Sequence, residues 1–116
     1  MYICILNRLS MKQKMYSVEV LKGCNLFVIA YSKEHAIVEI VRMHIKDKIE
    51  DYPSEYTIND VKELSKSDME DVIIDYNYAT EDSESDTLLN IFKNLTKFKE
   101  GVQEFFGVVG DDYIAY

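Results

Sequence analysis

The chain has few of the residues on which most catalytic and metal sites depend. Its 116 residues include two cysteines, two histidines, four glycines, one proline and no tryptophan. Neither cysteine has a second cysteine or a histidine two to four residues away, which excludes the usual spacing of a zinc site. His35 and His44 lie on roughly opposite faces of one predicted helix, so they cannot share a metal. The glycines form neither of the glycine-rich phosphate-binding patterns. We therefore expect no metal, no cofactor and no enzymatic activity.

Long hydrophobic runs are also absent. The longest without tyrosine, Leu26–Ala30, has five residues, whereas a membrane-spanning helix needs about 20. We therefore expect a soluble protein with no membrane interaction. The first residues lack the basic start, the apolar run and the cleavage site of a secretory signal peptide. Cys4 and Cys24 are accordingly expected to be free thiols in a reducing compartment.

The overall composition is that of a globular protein, with 47% hydrophobic and 29% charged residues. This length suits one domain, and we predict that residues 1–116 form it. The segment Met1–Lys14 has a weaker pattern than the residues that follow. We predict that it is either a short extra strand or a loosely attached extension that folding does not require.

The first half of the chain predicts a β-hairpin followed by a helix. Met15–Leu21 alternates apolar and polar residues, Lys22–Asn25 supplies turn residues, and Leu26–Tyr31 is nearly all apolar. Two such runs around a short turn are typical of paired strands. Ser32 is the predicted N-cap of a helix that ends near Lys48. The apolar stripe of this helix, expected to pack on the hairpin, consists of Ala36, Ile37, Ile40, Val41, His44 and Ile45.

The middle of the chain predicts further strands and a loop. Tyr56–Ile58 begins a strand-like stretch, and Asn59–Leu64 fits either a helical turn or a bent strand. Asp71–Tyr78 is a stronger strand, because it is rich in β-branched and aromatic residues. Glu81–Asp86 is predicted to be a polar, acidic loop.

A second helix is predicted after this loop. Ser85 or Asp86 caps it, and it runs to about Glu100, where Gly101 ends it. Residues 102–116 fit either a kinked extension of the helix or a last strand. The predicted fold class is α+β, with a small antiparallel sheet made of the N-terminal hairpin and one or two further strands, packed against two helices on one face. The apolar stripe of the second helix consists of Leu88, Leu89, Ile91, Phe92, Leu95 and Phe98.

Charge is distributed unevenly along the chain, whose net charge is −8. Residues 1–48 hold eight basic and four acidic residues, whereas residues 49–116 hold five basic and seventeen acidic residues. No lysine or arginine occurs between residues 67 and 92. This window holds eight acids and two tyrosines, which are the candidate partner-binding residues: Asp68, Glu70, Asp71, Asp75, Tyr76, Tyr78, Glu81, Asp82, Glu84 and Asp86.

Two interpretations of this window remain open. It is either a solvated surface that keeps the protein soluble and monomeric, or a surface that meets a basic partner. Carboxylates along a strand and loop present negative charge at spacings comparable to phosphates, so they could occupy a groove built for nucleic acid. Tyr76 and Tyr78 would then supply aromatic anchors. Direct binding to nucleic acid is disfavoured by the net negative charge.

In size, acidity, predicted layout and the lysine- and isoleucine-rich usage of an AT-rich genome, the chain resembles small acidic proteins of phages and mobile elements, including the anti-CRISPR inhibitors. The resemblance implies an inhibitor, monomeric or homodimeric, that acts in the cytoplasm of an infected bacterium. Its partner would be a Cas nuclease or similar enzyme with a basic surface. The resemblance carries over no site residues.

The alternative is another binding protein: an immunity protein that neutralises a toxin, or a sponge for a small signalling molecule. A sponge for nucleotides should have a pocket with basic or aromatic lining. Lys22, Lys33 and Arg42 are the predicted suppliers of its basic groups.

Overall fold

The computed structural model describes residues 12–21, 24–47, 58, 60–76 and 84–112, with the backbone alone at residues 21, 44–47 and 84. These residues form an α+β fold, which confirms the predicted class. In chain order, the elements are β1 (Lys14–Leu21), β2 (Cys24–Ala30), α1 (Lys33–Asp47), β3 (Asp60–Glu63), α2 (Lys66–Glu70), β4 (Ile73–Tyr76), β5 (Glu84–Thr87), α3 (Leu88–Leu95) and β6 (Gly107–Asp111). None of the helices in the described part is long and apolar enough to span a membrane.

The main sheet has four strands in the order β3-β1-β2-β6. The predicted hairpin is confirmed, because β1 and β2 pair antiparallel with Met15 opposite Ile29 and Val18 opposite Leu26. β6 pairs antiparallel with the other edge of β2, which decides between helix and strand for residues 107–111. β4 and β5 form a separate two-stranded sheet.

Both faces of the main sheet are buried. One face packs its alternate residues, such as Val18 and Val28, against Ala36 and Ile40 of α1, and we call this cluster the first core. The opposite face packs Met15, Phe27 and Ile29 against residues from α2, β4 and α3, and we call this cluster the second core: Met69, Ile74, Leu88, Leu89 and Ile91. The prediction that the helices share one face is therefore wrong. The reason is visible in β2, since an unbroken apolar run buries both faces of a strand.

Helix α1 begins where Ser32 predicts it, since the His35 amide donates a hydrogen bond of 3.1 Å to Ser32 Oγ. The predicted stripe is only partly correct. Ala36 and Ile40 are buried and Ile37 is half-buried, but Val41 is 47% exposed. Glu39 is not part of the predicted stripe, yet it is buried, with its carboxylate 3.2 Å from Nε2 of His35. The predicted burial of His44 and Ile45 concerns side chains outside the described part.

The predicted acidic loop is wrong over its second half, where Glu84–Thr87 forms strand β5 and pairs with β4. The second helix starts later and ends earlier than predicted. Its N-cap is Thr87, whose Oγ1 accepts a hydrogen bond from the Asn90 amide. The helix ends at Leu95, which leaves Phe98 86% exposed. Asp86 lies in β5, so neither Ser85 nor Asp86 is available as the N-cap.

One further prediction needs correction at its boundary. The predicted N-terminal extension cannot include Lys14, which pairs with Ala30 in the sheet. The Gln13 side-chain amide also donates a 2.8 Å hydrogen bond to the carbonyl of Phe105. Residues 1–11 lie outside the described part, as does the strand predicted at Tyr56, apart from Ile58, which packs against the first core.

Candidate functional site

Asp68, the first of the candidate partner-binding acids, has a structural role. Helix α2 begins with a capping box, in which the Ser65 amide donates to Asp68 Oδ2 at 3.0 Å and the Asp68 amide donates to Ser65 Oγ at 3.1 Å. The hydrogen bond from the Ser65 amide, with a further one from the Ser65 side chain, holds the pKa of the Asp68 carboxyl below its ordinary value. Helix α2 was missed at the sequence level. Its signal is the pattern of Ser65 followed three residues later by an acid.

We predict that Asp68 makes stability depend on pH in acid. Because the pKa of Asp68 is lower in the folded protein than in the unfolded chain, the ionised side chain stabilises the folded protein at pH values above its ordinary pKa. This stabilisation is lost as the pH falls through the pKa that Asp68 has in the folded protein. The stability difference between wild type and Asp68→Asn should therefore be largest near neutral pH and shrink below about pH 4. Urea denaturation across a pH series measures it. Glu70→Gln, which removes one exposed carboxylate from the same helix, is the control for net charge. A constant difference at every pH would contradict the prediction.

The outward side of the β4–β5 sheet carries the exposed candidates. Asp75 is exposed, and its Oδ1 accepts a 2.7 Å hydrogen bond from Ser85 Oγ on the partner strand. Ile73 lies on the same side of β4, two residues earlier, and is 67% exposed. Tyr76 points to the other side, where it packs against the second core, and burial raises the pKa of its hydroxyl. The exposed apolar side chain of this surface is therefore Ile73.

Asp86 is a second acid with a structural role. Its Oδ1 accepts hydrogen bonds from the Thr87 amide at 2.8 Å and from the Asn90 side chain at 2.9 Å, which fixes the junction between β5 and α3. The side chains of Tyr78, Glu81, Asp82 and Glu84 are outside the described part.

Among the described candidates, the structure thus leaves three exposed acids close in sequence to one exposed apolar residue. We call these exposed residues together the acidic face: Glu70, Asp71, Ile73 and Asp75.

A polar cluster lies on the first turns of α1. His35 Nδ1 accepts a 3.0 Å hydrogen bond from the Tyr31 amide, so the ring proton lies on Nε2, which donates to Glu39 Oε1 at 3.2 Å. Arg42 Nη1 lies 3.4 Å from the same Glu39 oxygen. Tyr31 and Phe106 pack against the imidazole ring, with ring centroids 5.5 and 5.0 Å away.

This cluster holds the start of α1 in place and is poorly suited to metal binding or proton transfer. Both nitrogens of His35 are engaged by the chain's own groups, which leaves no ring lone pair for a metal or for a substrate proton. Within the described residues, no group of three or more His, Cys, Asp or Glu side chains could hold a metal ion. His35 and Glu39 thus form an intramolecular contact one helical turn apart, with the carboxylate buried.

Cys24 likewise lacks the features of a reactive thiol. It is free and buried. Burial, together with the nearby carboxylates of Asp111 and Asp112, raises the pKa of its thiol. A nucleophilic cysteine needs the opposite environment, with a lowered pKa and access to solvent.

A cleft is formed by the end of α3 and by residues that connect α3 to β6. Its volume is about 1190 Å³. Lysines 12, 97 and 99 contribute to its lining, and Glu104 is the one acid among its described lining residues. We call it the phenylalanine cleft, after the apolar lining formed by Phe92, Leu95, Phe98, Val102, Phe105 and Phe106.

Sequence reasoning did not find this cleft. Of the predicted suppliers of basic groups, Arg42 lines an adjoining cavity of about 590 Å³ beside His35, which shares Glu104 and Phe106 with the cleft. Lys33 is absent from the described lining of both cavities, and Lys22 is outside the described part. The available signal was the alternation of lysine, phenylalanine and lysine at residues 97–99. The second predicted helix, which runs to about Glu100, includes these residues, so the alternation does not indicate a cleft.

Comparisons of the chain with known protein families, with curated proteins and with solved structures find no match.

Proposed function

We propose that the protein is a non-enzymatic inhibitor of the phage type, which binds a nucleic-acid-handling defence enzyme and blocks its basic substrate channel. The observation that supports this proposal is the acidic face. Glu70, Asp71 and Asp75 are exposed near Ile73, in a window of residues 67–92 that contains no lysine or arginine.

Physical chemistry favours a basic partner for such a surface. Carboxylates clustered without a compensating cation repel one another, and a lysine- and arginine-lined groove relieves that repulsion while releasing its own counterions. Ile73 contributes apolar area at the centre of the contact, where interface residues supply most of the affinity. The acids would mainly accelerate association and set specificity.

The proposed partner is a Cas nuclease or a similar enzyme, met in the cytoplasm of an infected bacterium. The protein needs no cofactor for this role and acts as a monomer or homodimer. The alternative is an immunity protein that neutralises a toxin with a basic surface, and it uses the same acidic face.

The test is inhibition of DNA cleavage by a panel of Cas nucleases loaded with their guide RNAs. The informative variant carries Glu70→Gln, Asp71→Asn and Asp75→Asn together, since exposed acids contribute only about 0.2–1 kcal/mol each. Asparagine at position 75 keeps an acceptor for the Ser85 hydroxyl. We expect the variant to remain folded and to inhibit more weakly, mainly through slower association that is less sensitive to salt.

The matched control is a second triple variant, Glu34→Gln, Asp60→Asn and Glu100→Gln, which removes the same charge from exposed positions elsewhere. It should inhibit almost as well as the wild type. Equal weakening in both triple variants would mean that net charge matters and the acidic face does not. Failure to inhibit any nuclease would contradict the proposal itself.

A further inference from the structure

We propose that the phenylalanine cleft binds a nucleoside phosphate. The first reason is its charge. Lys12, Lys97 and Lys99 border it, and among its described lining residues only Glu104 opposes them. The Glu104 carboxylate already accepts a 3.1 Å hydrogen bond from the Tyr31 hydroxyl. The cleft is thus a basic site on a protein whose net charge is −8, and it selects for an anion.

The second reason is the exposed apolar surface of the cleft. Phe98 is 86% exposed and Val102 is 63% exposed, although both are large apolar residues. Behind them, Phe92 and Phe105 are half-buried and pack against the second core. An aromatic ring left in water beside lysines is the arrangement that stacks a base while ammonium groups hold its phosphates.

Size and total charge point to a small nucleotide rather than a nucleic acid strand. The volume of about 1190 Å³ lies just above the usual range of about 300–1,000 Å³ for small-molecule sites, which is large enough for a base, a sugar and a short phosphate chain. A long strand would bring many phosphates near a strongly acidic protein and be repelled, whereas a mononucleotide places its few charges beside the lysines. None of the acidic-face residues lines this cleft. A failure to bind ATP would therefore leave the proposed inhibition unaffected, and a failure to inhibit would leave the nucleotide site unaffected.

Calorimetry and amide NMR titration of the full chain with ATP test the proposal. Adenosine, which has no phosphate, and inorganic triphosphate, which has no base, are the comparison probes. We expect ATP to bind saturably and more tightly than either, because stacking and charge act together. The amide signals of residues 97–102 should shift most.

Variants of the exposed lining residues distinguish this site from general attraction. Phe98→Ala and the double variant Lys97→Gln with Lys99→Gln should each weaken ATP binding by roughly tenfold or more. The control double variant, Lys33→Gln with Lys66→Gln, removes the same charge at exposed positions outside the cleft. It should change the affinity by less than about threefold.

Three results would overturn the proposal. The first is the absence of saturable ATP binding. The second is binding that Phe98→Ala and the lysine variant leave unchanged. The third is tighter binding of a single-stranded oligonucleotide than of ATP, which would replace the small ligand with a nucleic acid strand.

Discussion

Ile40→Ala should lower the free energy of unfolding by about 2–4 kcal/mol, because it leaves a cavity in a closely packed core. Ile40 is 1% exposed and packs in the first core beneath the sheet. Val41, its neighbour in the chain, belongs to the same predicted stripe but is 47% exposed. Val41→Ala should therefore change stability by no more than about 0.5 kcal/mol. Urea denaturation of the two variants and the wild type measures the difference.

The comparison also tests the position of α1 on the sheet. If both variants lose equal stability, the helix is rotated towards the stripe first predicted from the sequence. A negligible loss for Ile40→Ala would show that α1 does not pack on the β1–β2 hairpin. The slope of the denaturation curve should be the same for all three proteins, since none of the changes alters the surface exposed on unfolding greatly.

Gly110→Ala should destabilise the protein by about 1–3 kcal/mol through overpacking. A methyl group at this position would lie 2.6 Å from Cδ1 of Ile74, at the point where β4 passes over β6. The backbone itself does not demand glycine, since Gly101 and Gly107 are the described glycines with positive φ. The expected loss therefore reports the close approach of the two sheets.

Ile74→Val provides the means of checking this explanation. It removes the Cδ1 atom that the new methyl group would meet, and by itself it should cost about 0.5–1.5 kcal/mol. In the double variant, the valine makes room for the alanine, so the total loss should be smaller than the sum of the two single losses. Strict additivity would show that the cost of Gly110→Ala arises elsewhere.

Local sequence pattern was sufficient for the elements whose partners are close in the chain. The hairpin follows from two apolar runs around a short turn, and α1 begins at Ser32 because a hydroxyl at that position satisfies a free helix amide. The capping box at Ser65 is also a short-range pattern, but α2 was not predicted from it. A helix of about one turn is too short to show the periodic apolar spacing by which longer helices are recognised.

The candidate site was only partly predictable for a related reason. Composition alone identifies a window of acids, but it does not say which carboxylates the fold uses for itself. Asp68 and Asp86 are bound to amide groups at helix starts, whereas Asp75 remains exposed. Tyr76, predicted as an aromatic anchor for a partner, is half-buried and packs against the second core, because alternation along β4 turns it to the side of Ile74.

The sequence by itself determined the fold class, the hairpin, the start of α1 and the excess of acid in the second half. Each of these depends on composition or on residues within a few positions of one another. Only the tertiary structure decided that β6 pairs with β2, that β5 is a strand, and that the main sheet is buried on both faces. It also decided that Phe98 and three lysines border a cleft. These features depend on contacts between residues far apart in the chain. Local propensity and periodicity do not include the free energy of such contacts, so they do not predict them.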